Sequence, residues 1–302
     1  MKPQDYYKKQ AGLLLSVLPE VARETSFALH GGTAINLFHS NMPRLSVDID
    51  LTYLPVEDRE ASLAKISESL NRIAFRLQQS LPLAIVDPRL PEAKIFVTNN
   101  EATIKIEVNT IKRGCYSPPE IKSLCQRAQK EFDVFCEIRV VDKPHLFGGK
   151  ICAALDRQHP RDIFDIMQFF KTDRFDKELK KGFIFYLVSS GRPLVETLFP
   201  NLSNQRPAFE NQFSGMTQEQ FAYEDFENTR LLLIEVIQSA LTAQDKNFLL
   251  GFEQGNPNWE IYDFSIFPAV QWKLQNIQQL RTKNSKKHKE TCNKLEKRLA
   301  GI

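Results

Sequence analysis

The stretch from Arg44 to Thr52 alternates without a break: Leu45, Val47, Ile49 and Leu51 are apolar, and Arg44, Ser46, Asp48, Asp50 and Thr52 are polar. A period of two is that of a β-strand with one face in a core. The fold must therefore supply a sheet that buries the four aliphatics and leaves two aspartates side by side on the opposite face. On such a strand the Cα atoms of Asp48 and Asp50 stand roughly 6.6 Å apart, and both carboxylates can turn to one point. Two such charges repel unless a cation joins them. Mg²⁺ (or Mn²⁺), which takes oxygen ligands and shares them with substrate phosphates, is the expected partner.

Upstream, FALHGGTAINLF runs from an apolar segment through two glycines into a helical pattern, which reads as strand, turn, helix. Gly31 and Gly32 let a phosphate approach the backbone and let the chain take positive φ. A helix starting after Thr33 would point its first N–H groups at that phosphate. A glycine pair and threonine, fourteen residues, then D-x-D point together to phosphoryl chemistry on a nucleoside triphosphate. There, paired metal ions activate the attacking hydroxyl and neutralise the departing pyrophosphate. A third carboxylate is expected on a neighbouring strand. Glu107, on the polar face of ATIKIEVNT, is the candidate, and Asp87, just before Pro88, is a weaker one for which a turn role suffices.

The 302 residues allow one large or two smaller folded units. Residues 8–24 read as an opening helix interrupted by Pro19, and about 57–80 as a second helix. LPLAIVD, EAKIFVTN, ATIKIEVNTI and FDVFCEIRVVD are strand-like, so the first half is an α+β unit on a mostly antiparallel, or mixed, sheet. After about Pro144 the pattern becomes helical, and two domains are expected, 1–145 and 146–302. Within the second, Lys150 and Arg157 share a helix face, and Pro160 starts a helix carrying Arg161, Asp162 and Asp165. Arg161 and Asp165 are spaced as an i,i+4 pair. Lysine as a mobile charge and arginine as a fork suit a triphosphate; a surface salt-bridge network is the plainer alternative.

Net charge is +3, but from Trp272 to Ile302 nine Lys and Arg face two Glu, so this tail is +7 and the rest is −4. A basic stretch of this kind gives sequence-independent affinity for nucleic acid, or is simply a solvated helix or frayed tail. No run is long and apolar enough for a membrane span, and MKPQDYYKKQ is too polar for a secretory signal, so a cytoplasmic protein is expected. The five scattered cysteines, with no CxxC pair, fit reduced thiols.

With HGGTAINLF, PRLSVDIDLTYL, GGK…R…RDIFD, FYLVSSGRPLVETLFPN and PAVQWKLQNIQQL in view, the chain resembles the AbiEii/AbiGii toxin family of nucleotidyltransferases. That family is the toxin component of type IV toxin–antitoxin and abortive-infection systems, within the DNA polymerase β-like superfamily. The resemblance implies an N-terminal nucleotidyltransferase lobe and a C-terminal helical lobe, with NTP and a divalent cation between them. It places the phosphate loop on Gly31, Gly32 and Thr33, metal binding on Asp48 and Asp50, the catalytic lysine on Lys150 and a later catalytic aspartate on Asp165. Arg157, Arg161 and Asp162 are neighbours of that pair. It also implies an RNA acceptor, expected at the 3′ end of tRNA, and a cognate antitoxin. A small-molecule or protein hydroxyl as acceptor, a non-catalytic NTP sensor, and control by phosphorylation of Thr33 remain alternatives at this stage.

Overall fold

The computed structural model describes residues 3–302. The chain divides into two compact units: residues up to Leu146 with Glu210–Gln220, and Phe147–Phe209 with Phe221–Ile302. The return of 210–220 to the first unit has no signal in composition or periodicity.

The first unit opens with α1 (Pro3–Ala22), followed by β1 (Phe27–His30), α2 (Gly31–Ala34, continuing as a π-turn over Ile35–His39), β2 (Asp48–Tyr53) and α3 (Arg59–Ser80). Next come β3 (Ile85–Arg89), β4 (Lys94–Thr98), β5 (Thr103–Asn109), β6 (Glu120–Ser123), α4 (Gln126–Phe132) and β7 (Glu137–Val140). The seven strands form one mixed sheet in the order β3-β4-β5-β2-β1-β7-β6. β2 runs parallel to β5, and β1 parallel to β7; the other pairs are antiparallel. One face is the core: Ile49 and Leu51 align with Ile106 and Val108, and Ile106 with Ile95, all buried. Helices α1 and α3 pack on the sheet with Leu14, Leu15, Leu18, Ile66, Leu70 and Ile73 fully buried. The opposite face carries the polar half of each alternation, which is where β2 presents Asp48 and Asp50.

Four local expectations are corrected. Helix α1 is not interrupted at Pro19 but runs through it: the missing N–H forfeits one bond near the C-terminal end, while Val17, Leu18 and Val21 stay buried around it. The helix after β1 begins at Gly31, not after Thr33, with His30 as an extended N-cap, so the glycine loop is itself the helix's first turn, entered through Gly31 at φ +71°. The alternating stretch 44–52 is strand only from Asp48. Before it, Arg44 bridges Thr217 and the Leu45 N–H donates to Met216 O at 2.8 Å, so this part pairs with the returning segment instead of the sheet. Finally, FDVFCEIRVVD is strand only over Glu137–Val140, and β6, with no alternation of its own, pairs beside it.

The second unit is helical: α5 (Lys143–Arg157, whose first turn belongs to the first unit), α6 (Pro160–Thr172), α7 (Lys177–Val188), α8 (Leu194–Leu198), α9 (Arg206–Ala208), α10 (Tyr223–Ala240), α11 (Ala243–Glu253), α12 (Pro268–Lys283) and α13 (Ser285–Leu299). Pro160 occupies the first turn of α6, as its lack of a donor favours. At Gly148 an added Cβ would lie 2.3 Å from the Gly182 carbonyl carbon, so α5 and α7 meet backbone to backbone. Phe183, Phe248, Phe252 and Phe264 fill the core, and the basic tail falls on α12 and α13, which meet at Asn284.

Candidate active site

The strand alternation that buries Ile49 and Leu51 leaves Asp48 and Asp50 half-buried on the other face of β2. Register places Asp50 beside His30 of β1 on one side and beside Glu107 of β5 on the other, with Asp48 beside Lys105. Above Asp50 lies Gly31. Its φ is +71°, and a Cβ there would fall 2.2 Å from Asp50 Oδ2. Gly31 thus answers two requirements at once, a left-handed backbone and a carboxylate seated against its Cα.

Thr33 is fully buried. Its hydroxyl donates to the Asp48 carbonyl oxygen at 2.5 Å and accepts from Ser46 Oγ at 2.8 Å, since its one proton is already committed. Its side chain therefore ties α2 to the start of β2, and only its backbone N–H remains to serve a phosphate. Asn36 Nδ2 donates to Gly32 O at 2.9 Å and fixes the next turn. A Cβ on Gly32 would meet Arg44 Nη2 at 2.8 Å, so the Arg44 guanidinium packs against this loop; Arg44 is itself buried and donates to Leu45 O at 2.9 Å.

Glu107, expected as a third metal ligand, lies beside Asp50 in the register with its carboxylate ion-paired to lysines. Its Oε2 receives Lys105 Nζ at 2.5 Å and its Oε1 lies 3.7 Å from Lys94 Nζ. Among the described residues no group of three His, Cys, Asp or Glu could hold a metal ion. Asp87 lies on β3, three strands from β2 and thus roughly 14 Å away, ion-paired with Arg89 at 3.0 Å. The group that sequence reading missed is Lys105. Burial acts to lower its pKa, but the hydrogen bond to Glu107 and the fields of Asp48 and Asp50 raise it overall. Its position two before Glu107 was visible; its place beside Asp48 required the parallel register. The donor set that remains, two carboxylates on an open sheet face beside a glycine-lined loop, suits a hard cation that completes its shell with phosphate oxygens and water.

In the second unit the lysine and aspartates form a buried constellation, not a surface network. Lys150 Nζ lies 2.7 Å from Asp162 Oδ1 and 2.8 Å from Asp165 Oδ2, with all three side chains nearly inaccessible. Arg157, mostly exposed, closes a fork on Asp162 with Nε at 2.6 Å and Nη2 at 3.0 Å. Burial alone would raise the Asp162 carboxyl, but Lys150 and Arg157 outweigh it and hold it well below the ordinary carboxylate range. The i,i+4 expectation is not met: Asp165 pairs with Lys150, and Arg161, half-buried, makes no ion pair among the described residues. The Arg161 N–H is capped by His159 Nδ1 at 3.2 Å.

Known proteins place this chain firmly. Residues 13–276 match the family described as "Nucleotidyl transferase AbiEii toxin, Type IV TA system". Among solved structures the fold is similar to MenT4, a nucleotidyltransferase toxin from Mycobacterium tuberculosis H37Rv, with a TM-score of 0.65 and 14% identity over 92% of this chain and 95% of that one. Among curated proteins no match is found. No helix among the described residues is long and apolar enough to cross a membrane. A family match over most of the length, on a chain whose aspartate pair faces a glycine-lined loop, makes this protein a member of the AbiEii nucleotidyltransferase toxin family of type IV toxin–antitoxin systems.

Proposed function

We propose that the protein transfers a nucleoside monophosphate from an NTP to an RNA hydroxyl, the 3′ end of tRNA in the first instance, with Mg²⁺ or Mn²⁺ held by Asp48 and Asp50. The observation that carries this reading is the seating of Asp50 against Gly31 on the open face of β2, which joins a carboxylate pair to a phosphate-accessible backbone. A divalent cation bound there supplies activation of the acceptor hydroxyl and neutralisation of the leaving pyrophosphate. In the reaction the hydroxyl oxygen bonds to the α-phosphorus, the bond to the bridging oxygen breaks, pyrophosphate leaves and the hydroxyl proton passes to solvent.

The chain's own residues are proposed for the following roles. Gly31 and Gly32 offer backbone N–H groups at the start of α2, which have no acceptor within the helix. Thr33 and Ser46 hold that turn against the Asp48 carbonyl. Lys105, steered by Glu107, partly neutralises the aspartate pair and so limits its repulsion before a cation arrives. Lys150, held between Asp162 and Asp165, is assigned to an NTP phosphate by the family resemblance, and Arg157, mostly exposed, is proposed for the same ligand together with Arg161. Asp165 acts as the positioning partner of Lys150. The family implies a cognate antitoxin, and a cytoplasmic site of action fits an RNA acceptor.

The test is incubation of the protein with Mg²⁺, each α-labelled NTP in turn and total tRNA, beside Asp50→Asn. Label on RNA that the variant fails to produce is expected. Label on protein or a small molecule without RNA transfers the reading to those acceptors, and undiminished labelling by Asp50→Asn overturns the aspartate assignment.

A further inference from the structure

Helix α13 buries one face and exposes the rest. His288, Leu295 and Leu299 point inward, and His288 Nε2 lies 2.9 Å from the Glu253 carbonyl oxygen. Between Arg281 and Arg298 every other basic residue, eight in all, is exposed, against two exposed glutamates, Glu290 and Glu296. Three of the eight form a line. At 100° per residue, Lys287, Lys294 and Arg298 fall within roughly 40° of one another on one flank, at axial steps of roughly 10 and 6 Å. None of the three makes an ion pair among the described residues.

The line runs into a polar cavity of about 240 Å³ lined by Lys294 and Arg298 with Arg192, Asp156, Gln158 and Phe199. The Arg298 guanidinium stands 5.0 Å over the Phe199 ring, which holds its charge in place. Arg192, mostly exposed, is oriented by Asp156 at 2.7 Å and Glu196 at 3.8 Å. The result is a row of positive charges spaced along about three turns and ending in a concave site. A phosphodiester backbone fits such a row.

Other polyanions and surfaces fit it less well. Helix α13 exposes no large hydrophobic side chain, so it lacks the wedge by which amphipathic helices enter a bilayer and the apolar centre that protein interfaces need. We propose that the Lys287–Lys294–Arg298 flank of α13, with Arg192 and the adjoining cavity, is the docking surface for the phosphate backbone of the RNA acceptor. The proposal rests on the RNA reading above and adds to it a surface that the nucleotidyl-transfer motifs do not contain.

The test measures binding of labelled tRNA by the full chain in its Asp50→Asn form, so that binding is read without turnover, across a salt series. Replacing Lys287, Lys294 and Arg298 together by Gln is expected to weaken binding at least tenfold near 0.1 M salt. It should also flatten the slope of log affinity against log salt by about 2, the release expected for three single-strand phosphate contacts. Lys286, Lys289 and Lys297 replaced together by Gln remove the same charge from the remaining surface and are expected to weaken binding only a few-fold. Equal losses in the two triple variants, or no loss in the first, overturn the docking surface. So does unchanged tRNA binding accompanied by lost binding to phosphatidylserine vesicles. If the stripe variant loses tRNA while the wild-type protein labels no RNA, the acceptor reading fails and the binding surface stands. If wild type labels RNA and the Lys287, Lys294 and Arg298 triple variant binds it equally well, and with Asp50 intact labels it equally well, the surface fails and the reading stands.

Discussion

Replacing Gly31 by Ala tests how tightly the carboxylate pair is tied to the loop. The added Cβ would start 2.2 Å from Asp50 Oδ2, 3.0 Å from its Cγ and 3.1 Å from its Cβ. An ordinary contact is more than 3 Å, so the carboxylate must withdraw by about 1 Å, and a displacement of that size at a reacting centre costs on the order of 100-fold in rate. The backbone adds its own cost, since φ +71° is left-handed and an L side chain there loses roughly 1–2 kcal/mol. Gly31→Ala is therefore expected to lower pyrophosphate release about 100-fold and to lower unfolding free energy in urea by about 1–2 kcal/mol. Gly32→Ala is the control. Its Cβ would meet the far end of the Arg44 side chain, which can swing aside, and its φ is not left-handed. Near wild-type turnover in Gly31→Ala, or equal losses in the two variants, would refute the claim that Asp50 is positioned by the missing Cβ.

Thr33→Val keeps the shape but removes the donor to the Asp48 carbonyl, and is expected to cost about 1–2 kcal/mol in urea unfolding together with a fall in kcat; an unchanged stability would detach Thr33 from the strand. Lys150→Ala leaves Asp162 and Asp165 buried without their shared cation, and a loss of about 3–5 kcal/mol is expected, with intrinsic fluorescence as the readout. Lys105→Met removes a positive charge next to the aspartate pair, so half-saturation by Mg²⁺ should fall several-fold; a rise would contradict the neutralising role. Acid should act in two stages. Burial, assisted by Lys122, lowers His39 to about 4, so the unfolded state gains a proton first and stability falls by up to about 3 kcal/mol as pH drops from the unfolded value of about 6.5 to about 4. Asp162 is held low, so its contribution persists above the unfolded carboxylate pKa of about 3.9 and is lost below it. His39→Gln should flatten the first stage only, as followed by urea midpoints at successive pH values.

Local chemistry already determined much of this protein. Alternation along 48–52 specified a strand with its aspartates on one face, because side-chain direction in a strand depends on nothing beyond the strand itself. The glycine pair marked the loop, Pro160 marked the start of α6, and the spacing of Lys150 and Arg157 put both on one face of α5, which in the fold meets Asp162. What the sequence could not decide are relations between segments far apart in the chain. Glu107 alternates as a ligand should, yet the parallel register and the lysines on β4 and β5 turn its carboxylate to ion pairing. Thr33 looks like a phosphate-loop hydroxyl, but β2 lies close enough to take its proton. The expected Arg161–Asp165 pair gives way because a lysine from another helix reaches Asp165 where solvent does not. A buried carboxylate takes the partner that tertiary packing brings to it, and sequence separation carries no record of that distance. The tail is the converse case: its charge was plain in the sequence, and only the folded helix set the flank of Lys287, Lys294 and Arg298 with Arg298 over Phe199, because burying Leu295 and Leu299 sets the rotation of α13.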